Sequence, residues 1–327
     1  MKEDILRLLK ENKDGYVSGG NICEGFGVSR TAIWKCINQL KEEGYKIESV
    51  PKHGYKLLSC PDILTHEEVY RELETDKIGR NIVHFDTVDS TNEKAKNLAV
   101  AAEHGTVVIS EEQTIGKGRL GRSFVSPKNK GIWMSIILKP DIEPMKVSLI
   151  TQIGAAAVNR ALINMGIESF IKWPNDIIIN NKKVCGILTE MSCELTMVNF
   201  VVLGIGINVN VDKEDFGEEI SNVATSLKLE TKKKIDRKKL VAYILNDFEK
   251  LYNDYVERDD IAKPISICRG RSILLGKEIQ VIKKGQAYKA KALNIEENGS
   301  LVVQYEHGEI EELISGEVSI RGREGYV

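Results

Sequence analysis

Three patterns along the 327 residues predict a multidomain α/β (α+β) chain. Residues 1–62 carry apolar side chains at helical spacing and end in a short basic hairpin. Residues 63–268 alternate strand-like runs with amphipathic helices. Residues 269–327 are short alternating strands divided by turn residues. In order, these predict a winged helix-turn-helix, a central mixed α/β domain and a small SH3-like β barrel.

Composition narrows the class of molecule. A chain that is 42% hydrophobic has enough apolar surface for two or three cores. With 46 Lys and Arg against 48 Asp and Glu, the net charge of -2 excludes a protein that coats nucleic acid over its whole surface, so any such contact is local. The start, MKEDILRLLKENKDG, lacks a secretory pattern, and no run approaches the ~20 apolar residues of a membrane span. A cytoplasmic protein with no membrane partner is expected. Cys23, Cys36, Cys60, Cys185, Cys193 and Cys268 are scattered and the histidines stand far apart, so reduced thiols and no tightly bound metal are expected.

The N-terminal segment reads as three helices and a hairpin. Ile5, Leu8 and Leu9 form one apolar stripe, and Ile22 with Phe26 a second, ending at Gly27. Ser29 is a good N-cap for RTAIWKCINQL, where Ile33, Ile37 and Leu40 share a face. Arg30, Thr31, Trp34 and Lys35 are left facing outward near the start of that helix, as in a recognition helix that enters the major groove. After Gly44, YKIESVPKHGYKL gives two strands around Lys52, His53 and Gly54, a wing with a basic tip. From Arg30 to Lys56 six cations face three anions, so the segment is basic although the chain is not. Ser29, Arg30, Thr31, Trp34, Lys35, Lys52 and His53 are the candidate DNA contacts.

In the central domain, VSLITQIGAAAVNRALINMG (147–166) predicts a helix whose small residues allow close packing, with Gly166 at its end. DIIIN, KVCGILTEM and FVVLGIGINVN predict strands. Between the strand-like runs GTVVIS and GIWMSIIL lies GKGRLGRSFVSP (116–127). Gly116, Gly118 and Gly121 let backbone N–H groups converge on an anion, and Lys117, Arg119 and Arg122 add charge. Its spacing is neither a Walker A loop nor a dinucleotide fingerprint. A second polar cluster, Lys172 to Asp176, contains Pro174 and predicts a strand end or tight turn facing a pocket. Asn180-Asn181 predicts a hairpin tip, after which Lys183 opens the return strand, pointing to the same pocket or to water. The charged run ETKKKIDRKK (230–239) reads as a helix start with a solvated face.

Taken in order, S-T-N at 90–92, Gln113, G-K-G-R-L-G-R at 116–122, K-W-P-N-D at 172–176, K-V-C-G-I-L at 183–188 and G-I-G-I-N-V-N at 204–210 resemble the biotin protein ligase family. The match is to the bifunctional kind that also represses a biotin operon, and it runs over nearly the whole chain. The resemblance implies a catalytic domain of the class II synthetase-like biotin/lipoate ligase type. It implies that Ser90, Thr91, Asn92 and Gln113 line a biotin pocket, with Lys117, Gly118 and Arg119 wrapping biotin and the phosphate of an activated intermediate. Lys183 then holds the reacting carboxylate and phosphate, and Arg119 shares that catalytic charge. Arg122, Phe124, Lys172, Asn175, Asp176 and Asn208 fall to the nucleotide, Asp176 also as a candidate Mg²⁺ ligand. Two departures stand out: Lys117 replaces the family's usual Arg, and Phe124 its usual Trp.

The implied chemistry suits these residue types. A carboxylate must be activated before it can acylate an amine, so biotin attacks ATP to give biotinyl-5'-AMP and pyrophosphate, with Mg²⁺ spreading the triphosphate charge. Fixed cations bring the two anions together. Implied partners are the biotin carboxyl carrier protein of acetyl-CoA carboxylase, operator DNA and a second copy of the chain in a ligand-promoted homodimer. Two other readings share much of the pattern: a lipoate ligase, and a regulator that senses a ligand without catalysis. The winged helix and K-W-P-N-D favour biotin, and retention of Lys183 and Arg119 favours catalysis.

Overall fold

Two serine hydroxyls set where N-terminal helices begin. In the computed structural model, which describes residues 1–327 except 284, 315–318 and 323–325, the chain forms two units, Met1–Ile63 and Leu64–Val327. The first contains α1 (Lys2–Glu11), α2 (Gly19–Phe26) and α3 (Arg30–Glu42). Ser18 Oγ accepts the Asn21 amide at 3.1 Å and Ser29 Oγ the Ala32 amide at 3.3 Å, each satisfying a donor that a first helical turn leaves unpaired. The wing is the antiparallel pair β1 (Lys46–Val50) and β2 (Gly54–Ser59). Only glycine suits position 54: its φ is +112°, and a Cβ there would lie 2.0 Å from the Val17 carbonyl oxygen. Ile5, Leu9, Ile22, Ile33, Ile37 and Leu40 are buried together, as their spacing requires. Two details differ from the sequence stripes. Leu6 joins Ile5 and Leu9 as a fully buried core residue while Leu8 packs half-buried against them, and Phe26, the last residue of α2, is exposed.

After a short α4 (His66–Val69), the second unit is built on a seven-stranded sheet. Its strands are β3 (Ile82–Phe85), β4 (Val107–Ser110), β5 (Ile132–Leu138), β6 (Phe170–Lys172), β7 (Asp176–Ile179), β8 (Lys182–Glu194) and β9 (Met197–Ile207), in the order β3-β4-β5-β9-β8-β7-β6. β3 and β4 run parallel and every other pair is antiparallel. Alternation gives the central strands two different faces. On one face Ile132, Met134, Ile136, Cys185, Ile187, Leu203 and Ile205 pack beneath α6 (Val147–Asn164) and α9 (Arg237–Arg258). Gly154 lets α6 sit close, since a Cβ there would meet Leu203 at 3.3 Å. The other face carries Ser135, Gly186, Gly204 and Gly206, which are cross-strand neighbours through the pairs Ser135–Gly204 and Gly186–Gly206. These four small residues make a depression, and α5 (Thr91–Leu98) packs beside it over Val108, Ile137 and Val202.

Short helices α7 (Gly217–Ser221) and α8 (Leu227–Thr231) follow the sheet, and α10 (Ala262–Gly270) follows α9. The charged run before α9 is not wholly solvated. Asp236 caps the helix, but Arg237 is 0% exposed and bonds to Glu111 Oε2 at 2.8 Å and to the Gly131 carbonyl at 2.9 Å. A buried acid supplies the partner that makes this burial tolerable. The chain finishes in a five-stranded antiparallel sheet of β10 (Glu278–Lys283), β11 (Gln286–Ile295), β12 (Leu301–Tyr305), β13 (Ile310–Leu313) and β14 (Ser319–Gly322), in the order β13-β12-β11-β10-β14. The run EIEELISGEVSI (309–320), which reads in sequence as one strand, gives two, and its residues 315–318 lie outside the described residues. Ile279, Val281, Ala292 and Val303 from this sheet belong to the same core as α6. Gly299 of its β11–β12 turn accepts hydrogen bonds from Gln152 Nε2 and Trp173 Nε1.

Candidate active site

The depression in the sheet is the floor of a narrow pocket. Ser90, Thr91, Asn92, Gln113, Lys117 and Phe124 wall it, above Gly186, Gly204 and Gly206. The glycines are there for approach rather than flexibility: a Cβ at Gly204 would lie 2.1 Å from Asn92 Oδ1, and one at Gly206 2.9 Å from the Phe124 ring. The walls are held by a closed set of hydrogen bonds. Gln113 Oε1 accepts from the Thr91 amide at 2.8 Å, while Gln113 Nε2 donates to Ser126 Oγ at 2.9 Å. Ser135 Oγ lies 2.6 Å from Asn92 Oδ1, and Asn92 Nδ2 donates to Glu190 Oε2 at 2.7 Å. Asn92 therefore shapes the wall with both ends of its amide already engaged.

Charge ties this wall to the glycine-rich loop. Lys96 bonds to Glu190 at 3.0 Å and to Glu93 at 2.7 Å, and Glu93 also receives Lys117 of the loop at 2.6 Å. The hydrogen bond from Lys117, with that from Lys96, holds the Glu93 carboxyl below its ordinary range. The loop bends through Leu120, whose φ of +58° is unusual for a branched side chain, and through Gly121 at +71°.

Across Phe124 the narrow pocket adjoins a cleft of about 690 Å³. Gly118, Arg119, Arg122, Lys172, Asn175, Asp176, Lys183 and Asn208 all line it, although they come from the loop and from the ends of four strands, β6 to β9. Lys183 Nζ lies 2.6 Å from Asp176 Oδ1, and Arg119 Nη1 donates to Asn175 Oδ1 at 3.1 Å. Asn175 Nδ2 in turn bonds to the Ile187 carbonyl at 2.8 Å, which fixes its amide. The Trp173–Pro174 bond is cis. Asn208 Nδ2 donates to the Thr225 carbonyl at 3.1 Å, while its buried Oδ1 has no hydrogen-bond partner among the described residues. Burial lowers the Arg119 pKa, with Asp176 opposing the shift. Burial alone would raise the Asp176 carboxyl, but Lys183, the Tyr326 hydroxyl and Lys172 together hold it low. The Lys172 ammonium, 2% exposed, is pushed by burial down to about 7.

Asp176 Oδ1 lies 2.6 Å from Lys183 Nζ, and its Oδ2 accepts from the Tyr326 hydroxyl. Among the described residues no three His, Cys, Asp or Glu side chains converge, so Asp176 stands as a lone candidate carboxylate for Mg²⁺, beside a lysine.

In the N-terminal unit the candidate DNA contacts share one outward surface. Arg30, Thr31, Trp34 and Lys35 are exposed on α3, Trp34 by 57%, and Arg30 and Lys52 border the same hollow at the wing. Lys52 has a φ of +68° at the turn and His53 is exposed beside it. The Ser29 hydroxyl is occupied as the helix cap.

Residues 84–208 match the Biotin/lipoate A/B protein ligase family, residues 2–56 an HTH domain and residues 274–321 the Biotin protein ligase C terminal domain. The Bifunctional ligase/repressor BirA of Bacillus subtilis is 37% identical over 323 residues, 98% of each chain. The chain belongs to the biotin/lipoate protein ligase family. The Escherichia coli protein of the same name is 24% identical, over 94% of each chain. A biotin protein ligase from Aquifex aeolicus, solved in complex with biotin and ATP, superposes with a TM-score of 0.65 at 30% identity, covering 74% of this chain and 99% of that one.

Some residues around the two pockets carry no motif of their own. Ser135 and Glu190 hold Asn92 of the narrow pocket, and Tyr326 borders the cleft, all from positions remote in sequence. Others had a readable signal. Ser90-Thr-Asn-Glu93 has the spacing of a capping box and marks the start of α5, and glycines inside the strands at 186, 204 and 206 signal close approach by another group.

Proposed function

We propose that this chain is a biotin protein ligase and biotin-operon repressor. It activates biotin with ATP and passes it to a lysine of a biotin carboxyl carrier protein, that of acetyl-CoA carboxylase. The observation that carries the reading is the shared wall at Phe124: a narrow, hydrogen-bonded pocket opens beside a cationic cleft, with Lys183 at the junction, 2.8 Å from where a Gly186 Cβ would be. Biotin's ring system takes the narrow pocket, between Ser90, Thr91 and Gln113, and its carboxylate faces the cleft. ATP takes the cleft, its phosphates among Arg119, Arg122, Lys172 and Lys183 and its base toward Asn208.

A carboxylate oxygen of biotin then attacks the α-phosphorus, and the bond from that phosphorus to the β-bridging oxygen breaks with release of pyrophosphate. Lys183 and Arg119 offer fixed positive charge to both anions as they meet, and no histidine base is required. In the second step the acceptor amine attacks the acyl carbon, loses a proton and expels AMP. Magnesium enters the proposal only as the ion that accompanies the triphosphate.

The exposed face of α3 and the wing support operator binding. A single winged helix makes few phosphate contacts, so we infer a two-fold dimer on two half-sites, promoted by the adenylate. Modules at 1–62, 63–268 and 269–327 and a cytoplasmic location complete the reading. Among the described residues no helix is long and apolar enough to cross a membrane. The discriminating experiment offers the purified protein ATP and Mg²⁺ with labelled biotin or labelled lipoate. An adenylate of biotin alone supports the reading; an adenylate of lipoate, or of neither, overturns it.

A further inference from the structure

Tyr326 lines the cationic cleft beside Lys172 and Asp176. Its ring centroid is 3.5 Å from Lys172 Nζ, and the Arg321 guanidinium lies 5.1 Å from the same ring. Its hydroxyl donates to Asp176 Oδ2 and its carbonyl oxygen accepts from Lys172 Nζ. One residue thus gives a nearly enclosed ammonium both a hydrogen-bond acceptor and a π face. The cleft as a whole is unbalanced in charge: Arg119, Arg122, Lys172, Lys183 and Arg321 line it, with Asp176 the one acid among its described lining residues. An excess of that size suits a multiply charged anion better than a phenol.

We propose that Tyr326 is a displaceable occupant of the polyphosphate subsite, covering Lys172 and Asp176 until the phosphates of the nucleotide take its place. The proposal rests on the reading of the cleft as the ATP site. Tyr326 is a positioning residue here, since it touches Lys172 and Asp176 and not the reacting atoms. Phosphate oxygens make stronger, charge-assisted bonds to Lys172 than a carbonyl and a ring can, so the exchange favours the ligand. The apparent affinity is still reduced by the fraction of molecules in which Tyr326 is in place.

The test compares the native protein with Tyr326→Phe and Tyr326→Ala in biotin-dependent adenylate synthesis. Tyr326→Ala is expected to lower KM for ATP about tenfold while kcat and KM for biotin stay within roughly twofold. Tyr326→Phe keeps the ring over Lys172 and loses the bond to Asp176, so its KM for ATP falls between the two. Inorganic pyrophosphate, titrated into each protein alone, should bind in the same order. A KM for ATP that is unchanged or raised in both variants overturns the proposal. Should the native protein make no biotin adenylate while pyrophosphate still binds more tightly to Tyr326→Ala, the ligase reading fails and the subsite assignment stands.

Discussion

Lys183 and Lys172 carry the same charge in the same cleft but in different surroundings, and their predicted behaviour differs accordingly. Lys183 is paired with Asp176 at 2.6 Å beside the junction of the two pockets. Replacing it by Ala removes a fixed cation from both reacting anions and should slow adenylate formation by about two to three orders of magnitude, read as pyrophosphate release. Near-normal release would return Lys183 to the solvent-facing role its strand position also allowed. Lys172 titrates near 7, well below its ordinary 10.5, so its charge is lost as pH rises through neutrality. Phosphate binding favours the protonated form, and KM for ATP should therefore rise between pH 6 and pH 8. Lys172→Arg, which stays charged across that range, should flatten the profile; an equal slope in both proteins would contradict this. Arg119→Gly removes a cation of the loop and its bond to Asn175, and should release reactive adenylate that labels bystander lysines. At this scale the sequence was informative wherever a site residue lay inside a contiguous motif, as with Lys183 or Asn175. Tyr326, Glu190 and Arg237 were not legible, because each acts through a partner on another strand or helix and pairings over such separations leave no local pattern.

Strand alternation, more than any single motif, built the candidate pocket. DIIIN, KVCGILTEM and FVVLGIGINVN were legible as strands, and the structure sets them at 176–179, 182–194 and 197–207, the first two joined by the Asn180-Asn181 turn with φ of +47° and +62°. Which face would hold a ligand was not stated by the alternation alone. It follows from register, which sets Ser135, Gly186, Gly204 and Gly206 side by side. Gly204→Ala tests this directly. Its new methyl would meet Asn92 Oδ1, and the overpacking should cost about 1–3 kcal/mol and raise KM for biotin more than KM for ATP. After β4, Arg237→Ala would leave the buried Glu111 carboxylate with only His84 Nε2 and the Leu64 amide as partners among the described residues. A loss of about 3–5 kcal/mol is expected in denaturant unfolding of the chain. The charged run around Arg237 predicts a solvated face because neighbouring lysines mask the side chain that turns inward.

The whole molecule is a ligase site and a DNA-reading surface held in separate units, each with its own apolar core. A chain beginning at residue 64 should therefore keep adenylate synthesis and lose operator binding. A folded but inactive fragment would contradict that independence. The larger claim is that the product of one unit governs the other. Biotinyl-adenylate ordering the loop at 116–127 would stabilise a dimer by its differential affinity for it, and DNA binding would rise by linkage without the ligand touching DNA. The most direct measurement is an operator titration at fixed salt, paired with sedimentation, on the protein alone, with biotin and ATP, and after adding acceptor protein. The account predicts that mass and operator affinity rise together when the adenylate forms and fall together when the acceptor discharges it. Mass and affinity indifferent to the adenylate would contradict it.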